Sequence, residues 1–365
     1  MTPLRAAGGD PGSAELIEMR PDARIVPETV AAALEGRLPG ARGVPEILQF
    51  RGGEANLTYL LRYRTEGGGT QEYVLRRPPP GPVAPKSHDM GREYAVLSRL
   101  YRAYPLAPRA FYFSEDAAVV GAPFLVMERR RGIVIRTELP ARFRGQPALC
   151  RRIAEMVVDT LADLHAVEPE AVELSGLGRP EGFMERQVRG WAGRWEAAKT
   201  ADVPAFDRLS AWLAARVPPA PRPALVHNDF KLDNIMVDAD DPGTPVAVFD
   251  WDMCTVGDPL ADLGTLLGYW TEPGDSEARK AFAVIPSQEP GFLTRAEAAA
   301  RYGARHGVDV SHLHWYEVFG VWKIAVVIQQ LYGRWHRGQS RDERFRTYGA
   351  RAERLVESAR ELAGL

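Results

Sequence analysis

Apolar positions follow two different periods along the chain. Between residues 46 and 128 they form short runs or alternate with polar positions, which predicts strands over 46–50, 57–63, 73–76, 110–114 and 124–128. Gly67, Gly68 and Gly69 join two of these as a hairpin turn, where glycine supplies positive φ. A helix is predicted over 27–35, opened by Pro27 and closed near Gly36. A proline-rich break at 78–82 leads into a second helix over 89–101. From Leu149 onward the spacing becomes helical, as in Ile153, Met156, Val157, Leu161 and Leu164. Residues 1–24 are polar, with Gly, Pro and both charge signs, and read as a mobile tail. The pattern therefore divides the chain into that tail, a small β-rich part over 25–128 and a larger, mainly helical part over 129–365, an α+β organisation.

One stretch interrupts the helical part. Leu225 and Val226 lead into His227, Asn228, Asp229, Phe230, Lys231, Leu232, Asp233 and Asn234, followed by the apolar run Ile235, Met236 and Val237. An Asp241, Pro242, Gly243 turn separates this from Val246, Ala247, Val248 and Phe249, and then Asp250. Two strand-like runs joined by turn residues predict an antiparallel hairpin. Asn234 stands just before its first strand and Asp250 just after its second, so pairing draws both to the open end, where the loop carrying Asp229 also enters. Three oxygen-bearing side chains suit a hard divalent cation: magnesium takes one or two protein ligands plus waters and phosphates. Asn234 and Asp250 are the expected ligands, leaving Asp229 to face a substrate hydroxyl. The spacing His-x-Asp-x-Lys-x-x-Asn, with Lys231 in register, matches the catalytic loop of kinases, so Asp229 and Lys231 are the catalytic candidates. Asp258 and Pro259 predict a capped helix start with Asp262 in its first turn, where the helix dipole favours it and where it can also brace the loop.

Phosphoryl transfer needs groups that hold a nucleotide. Gly52, Gly53 and Asn56 lie between two predicted strands, where backbone N–H groups can approach phosphates. In the helix over 89–101, Glu93, Val96, Leu97 and Leu100 share one apolar stripe, so Glu93 requires a charged partner. Arg76 on the neighbouring strand is the candidate. Met127 and Glu128 end the last strand of the small part, where backbone groups would meet adenine. The expected cofactors are ATP and Mg2+.

Composition narrows the partners. Hydrophobic residues are 45% and charged residues 26% of 365, as in globular proteins. Lys plus Arg number 46 against 48 for Asp plus Glu, which argues against a nucleic-acid binder driven by phosphate contacts. Two distant cysteines, Cys150 and Cys254, form neither a disulfide framework nor a metal knuckle and fit a reduced, cytoplasmic setting. No apolar run reaches membrane-spanning length; the longest, 319–328, is interrupted by Lys323. Gly-x-Ser-x-Gly, dinucleotide and Walker-type motifs are absent. His306, His312 and His314 could resemble a metal site, though lone histidines near Trp315 more often pack, and their role stays open; His165 and His227 are expected to be structural.

Taken together, these motifs resemble the aminoglycoside phosphotransferase and choline kinase-like family over nearly the whole chain after the tail. Tyr73 through Gly81, Gly178 through Phe183, and Trp251 through Gly264 are most similar to the kinase-like region of acyl-CoA dehydrogenase family members 10 and 11. The resemblance implies a protein-kinase-like two-lobed fold, with a small β-rich nucleotide-binding N-lobe and a larger helical C-lobe that holds the acceptor. It also implies ATP-dependent phosphorylation of a small hydroxylated molecule, best a hydroxyacyl-CoA thioester. An aminoglycoside or other amino-alcohol acceptor is the alternative, and a non-catalytic pseudokinase is the alternative of another class. Two departures stand out: Arg76 replaces the strand lysine of kinases, and Asn228 replaces the arginine usual in protein kinases. Arg186 and Arg189 are the candidates for the acceptor's phosphates, against a packed Trp191 and Trp195 pair with solvated arginines.

Overall fold

A computed structural model of the chain describes residues 16–51, 56–79, 89–280, 282–340 and 342–365. The chain forms two compact units, Met1–Ile133 with Met236–Cys254, and Val134–Ile235 with Thr255–Leu365. The first unit thus takes in residues 236–254 in addition to the small part that periodicity alone marks out.

A six-stranded sheet organises the first unit. Leu16–Ile17 (β1), Glu46–Phe50 (β2), Leu57–Arg64 (β3), Thr70–Arg77 (β4), Ala110–Ser114 (β5) and Phe124–Glu128 (β6) lie in the order β1-β2-β3-β4-β6-β5, every pair antiparallel. The β3–β4 hairpin pairs Leu57 with Arg77 through Arg64 with Thr70, and Gly68 at φ 79° makes the turn. Because side chains alternate along a strand, Tyr59, Leu61, Tyr73 and Leu75 bury one face together with Val30 and Leu34 of Pro27–Leu34 (α1). Met90–Leu100 (α2) packs against β5 and β6 and buries Val96, Leu97 and Leu100. A single turn of helix, Ala117–Val120 (α3), joins β5 to β6.

Residues 16–24 are not a mobile tail. Leu16 pairs with Phe50, and Ala23 is fully buried, its carbonyl accepting from the Tyr59 hydroxyl at 2.6 Å and Arg77 Nη2 at 3.3 Å. What anchors this segment is main-chain pairing, the Ala23 carbonyl, the Arg20 amide donating to Gln49 Oε1 at 3.0 Å and the burial of Ala23, which polar composition conceals. Residues 1–15 of the expected tail lie outside the described residues. The predicted hairpin is present: Ile235–Val237 (β9) lies beside Pro245–Val248 (β10), with Ile133–Val134 (β7) on its other edge.

The second unit is helical: Pro147–His165 (α4), Phe183–Ala198 (α5), Pro204–Ala215 (α6), Pro259–Tyr269 (α7), Glu277–Lys280 (α8), Arg295–His306 (α9), Leu313–His336 (α10) and Tyr348–Leu362 (α11). Its sheet is a short antiparallel pair, Ala224–Val226 (β8) with Thr255–Gly257 (β11). All eleven residues of α7 are buried. The α7–α10 crossing depends on two glycines: a Cβ on Gly264 would lie 2.3 Å from the Tyr316 carbonyl oxygen, and one on Gly320 would lie 2.1 Å from that of Gly264. Among the described residues no helix is long and apolar enough to cross a membrane.

Candidate active site

The start of α7 positions the loop that follows β8. Asp258 caps the helix, its Oδ1 accepting from the Leu260 amide at 2.9 Å while its Oδ2 accepts from the Tyr316 hydroxyl at 2.6 Å. Burial pushes the Asp258 carboxyl up to about 6, with the Tyr316 bond opposing it. One turn on, Asp262 accepts the backbone N–H of His227 at 2.6 Å and of Asn228 at 2.7 Å, and it contacts His165 Nε2 at 3.2 Å. Burial would raise this carboxyl, but the His165 bond, with His227 and Lys323 nearby, holds it below the usual range. At the next peptide group, buried Lys323 donates to the Asn228 carbonyl at 2.6 Å. Burial lowers the Lys323 pKa, and Asp262 and Asp229 oppose that shift. Asn228 takes a left-handed φ of 67°, a conformation Asn tolerates better than most residues. The loop is therefore gripped through its peptide atoms.

That grip presents Asp229. Its Oδ2 accepts from Lys231 Nζ at 2.5 Å and from Asn234 Nδ2 at 3.2 Å; the same amide nitrogen donates to the Asp229 carbonyl at 2.8 Å. Both of these amide contacts use Nδ2, which turns Asn234 Oδ1 away from Asp229 and leaves it suited to a hard cation. The contacts to the Asp229 carboxylate converge on Oδ2, and its side chain is 27% exposed, so Oδ1 is the oxygen positioned to accept a proton. Burial pulls the Lys231 pKa down, but Asp229 and Asp233 outweigh it, so the ammonium stays charged.

In the first unit, Arg76, Glu93 and Asp250 form a second cluster. Arg76 Nη1 donates to Glu93 Oε1 at 2.5 Å, and Nη2 to Asp250 Oδ1 at 3.2 Å. Glu93 is fully buried, so the partner that its place on the apolar stripe demands is supplied by Arg76. Burial pushes Glu93 up to about 7, offset by Arg76 and by a bond from the Trp251 backbone. Asp250 has a left-handed φ of 70° at the head of the turn Trp251–Met253. Period-two alternation sends Arg77 to the other face, where it binds the Tyr59 hydroxyl.

The remaining candidates are dispersed. Asn56 is buried just before β3, while Gly52 and Gly53 lie outside the described residues. Met127 is buried in β6, and Glu128 accepts from the Arg109 amide and Arg130. Arg186 donates to the carbonyls of Arg179 and Glu181, closing its own turn, and Arg189 is exposed. Trp191 and Trp195 are buried, with Trp195 stacked on Phe206 at 4.1 Å. Among the described residues no group of three His, Cys, Asp or Glu is arranged to hold a metal. Lys323 escaped the sequence reading, where it only interrupts an apolar run; a cation inside such a run is the signal that a buried acceptor lies nearby.

Comparison with known proteins places these features in a family. Residues 46–300 match the model of the phosphotransferase enzyme family, a span that contains Arg76, Glu93, Asp229, Lys231, Asn234 and Asp250. Acyl-CoA dehydrogenase family member 11 of Mus musculus is 31% identical over 340 residues, covering 91% of this chain. The chain spans only 42% of that relative's length. A solved structure from Ralstonia eutropha, described as an aminoglycoside phosphotransferase, superposes with a TM-score of 0.77 at 27% identity, covering 93% of this chain and 99% of its own. The phosphotransferase APH(2″)-IIa, solved as a ternary complex with streptomycin and ATP, has a TM-score of 0.51 at 15% identity over 84% of this chain and 90% of its own, a likeness of fold alone. The fold is protein-kinase-like, with a β-rich N-terminal and a helical C-terminal part. The chain belongs to the phosphotransferase enzyme family and is a small-molecule phosphotransferase.

Proposed function

We propose that this enzyme transfers the γ-phosphoryl group of ATP to a hydroxyl on an acyl chain linked to coenzyme A, in the cytoplasm. The observation that carries the phosphotransfer reading is Asp229: Lys231 and Asn234 hold its Oδ2, and Oδ1 is left to receive the acceptor proton. The acceptor oxygen attacks the γ-phosphorus, the bond to the β-phosphate oxygen breaks, ADP leaves, and the proton passes to Asp229 Oδ1. Lys231 stays charged, bonded to Oδ2 of the same carboxylate, and offsets the charge on the transferring group. Arg76, fixed by Glu93, and the backbone around Gly52, Gly53, Asn56, Met127 and Glu128 are assigned to the nucleotide. Asn234 and Asp250 are assigned as oxygen ligands of magnesium, which when bound neutralises phosphate charge.

ATP is carried over from the solved ternary complex of the distant fold relative. The thioester acceptor is supported by likeness to proteins named as acyl-CoA dehydrogenase family members. Arg189 is the freer of the two arginines assigned to the coenzyme A phosphates, because Arg186 is engaged with Arg179 and Glu181. The test compares phosphorylation of 4-hydroxyvaleryl-CoA, free 4-hydroxyvalerate and kanamycin under identical conditions. The thioester is expected to be the best acceptor, with a rate that falls as salt rises. Equal rates with thioester and free acid would remove the coenzyme A assignment, and kanamycin as the best acceptor would replace it with an aminoglycoside.

A further inference from the structure

Arg76 bonds two carboxylates through two different nitrogens, and their roles differ. Nη1 is committed to Glu93 in a contact where both side chains are almost fully enclosed, 11% and 1% exposed. Nη2 reaches Asp250, whose side chain is 32% exposed and therefore open to exchange. All three backbones are fixed: Arg76 is paired with Thr58 and Leu125 in the sheet, Glu93 sits in the first turn of α2, and Asp250 is held in its left-handed conformation. A lysine presents one compact ammonium, whereas the guanidinium is a rigid fork that can serve two acceptors at once. Here the fork spans from the helix to the carboxylate assigned to magnesium. Any divalent cation approaching Asp250 meets a positive charge already bonded to it, and like charges at such separations repel strongly where water is partly excluded.

We propose that Arg76 makes the metal site nucleotide-gated: without nucleotide its Nη2 prong neutralises Asp250 and keeps divalent cations off, and nucleotide phosphates draw that prong away and free Asp250 as a ligand. The Nη1 prong keeps its hold on Glu93 throughout, so the guanidinium pivots rather than leaves. Metal and nucleotide then enter together, and free metal does not precharge the enzyme. The inference rests on the magnesium role proposed above for Asp250. Arg76 acts here as a positioning residue, through Asp250.

The test titrates Mn2+ and follows the free ion by electron paramagnetic resonance, a readout independent of turnover. Parent, Arg76→Lys and Arg76→Gln proteins are compared with and without a non-hydrolysable ATP analogue, after thermal melts confirm folding. Without the analogue, Arg76→Gln should bind Mn2+ about tenfold or more tightly than the parent, because the guanidinium charge beside Asp250 is gone. Arg76→Lys should fall between them, since its single nitrogen stays with Glu93. Adding Asp250→Ala to either variant should abolish that gain. With the analogue present, the differences between parent and variants should shrink. Equal Mn2+ affinity of parent and folded Arg76→Gln without nucleotide overturns the gate and leaves the metal assignment standing. If Asp250→Ala leaves Mn2+ binding to the analogue-loaded parent unchanged, the metal assignment falls and the gate with it.

Discussion

At the scale of single residues, the site works by leaving particular atoms available. Asp229 offers Oδ1 because its partners converge on Oδ2, so replacing it with Asn removes the proposed proton acceptor while keeping the shape. Asp229→Asn should transfer phosphate ~10²–10⁴-fold more slowly, the range for a positioned acid or base, with nucleotide affinity retained. Single-turnover kinetics beside calorimetric nucleotide titration check both halves, and near-normal turnover would remove Asp229 from its role. The grouping of Asp229, Lys231 and Asn234 was readable from sequence, because they lie within six positions of one another on one loop between two strands. Glu93 and Arg76 were readable for a different reason: a carboxylate on an apolar stripe needs a cation, and β4 places one on the facing side. Lys323 was not, since its acceptor is the backbone carbonyl of Asn228, 95 residues away, and no side-chain pattern encodes a carbonyl.

Secondary-structure elements matter through how closely they approach. Helices α7 and α10 cross at Gly264 and Gly320, with a would-be Cβ on Gly264 2.3 Å from the Tyr316 carbonyl. A methyl group there would push the backbones apart, and the same two helices carry Asp258 and its partner Tyr316. Gly264→Ala should therefore cost about 1–3 kcal/mol, the usual penalty of overpacking. Gly193 in α5 has nothing within 4 Å of its would-be Cβ, so Gly193→Ala should be neutral or stabilising by up to about 1 kcal/mol. Thermal melts of the two variants measure the contrast, and equal melting temperatures would contradict the close crossing. Element boundaries followed from sequence where chemistry punctuates them, as with Asp258 and Pro259 opening α7. The first strand did not, because Leu16 and Ile17 pair through main-chain groups with β2, and a two-residue strand has no period to detect.

For the molecule as a whole, stability is tied to pH by a buried cap. The Asp258 carboxyl is raised from 3.8 to about 6, so between those values the folded chain holds a proton that the unfolded chain has released. Stability due to this group therefore falls as pH rises through that window and levels off above it. Asp258→Asn keeps a capping oxygen but cannot titrate, so its stability relative to the parent should climb between pH 4 and 6 and then stay constant. Urea denaturation at several pH values reads the difference, and a flat difference would mean the carboxyl is not raised. The grip on the catalytic loop has a consequence on the same scale. Asp262 and Lys323 hold the amides of His227 and Asn228 and the carbonyl of Asn228, groups that every residue but proline carries. Peptide groups of residues 227 and 228 thus help to set the loop's position. A residue that accepts a left-handed backbone, such as Gly or Asp, keeps these peptide contacts at position 228, whereas one that resists positive φ would disturb the loop that carries Asp229.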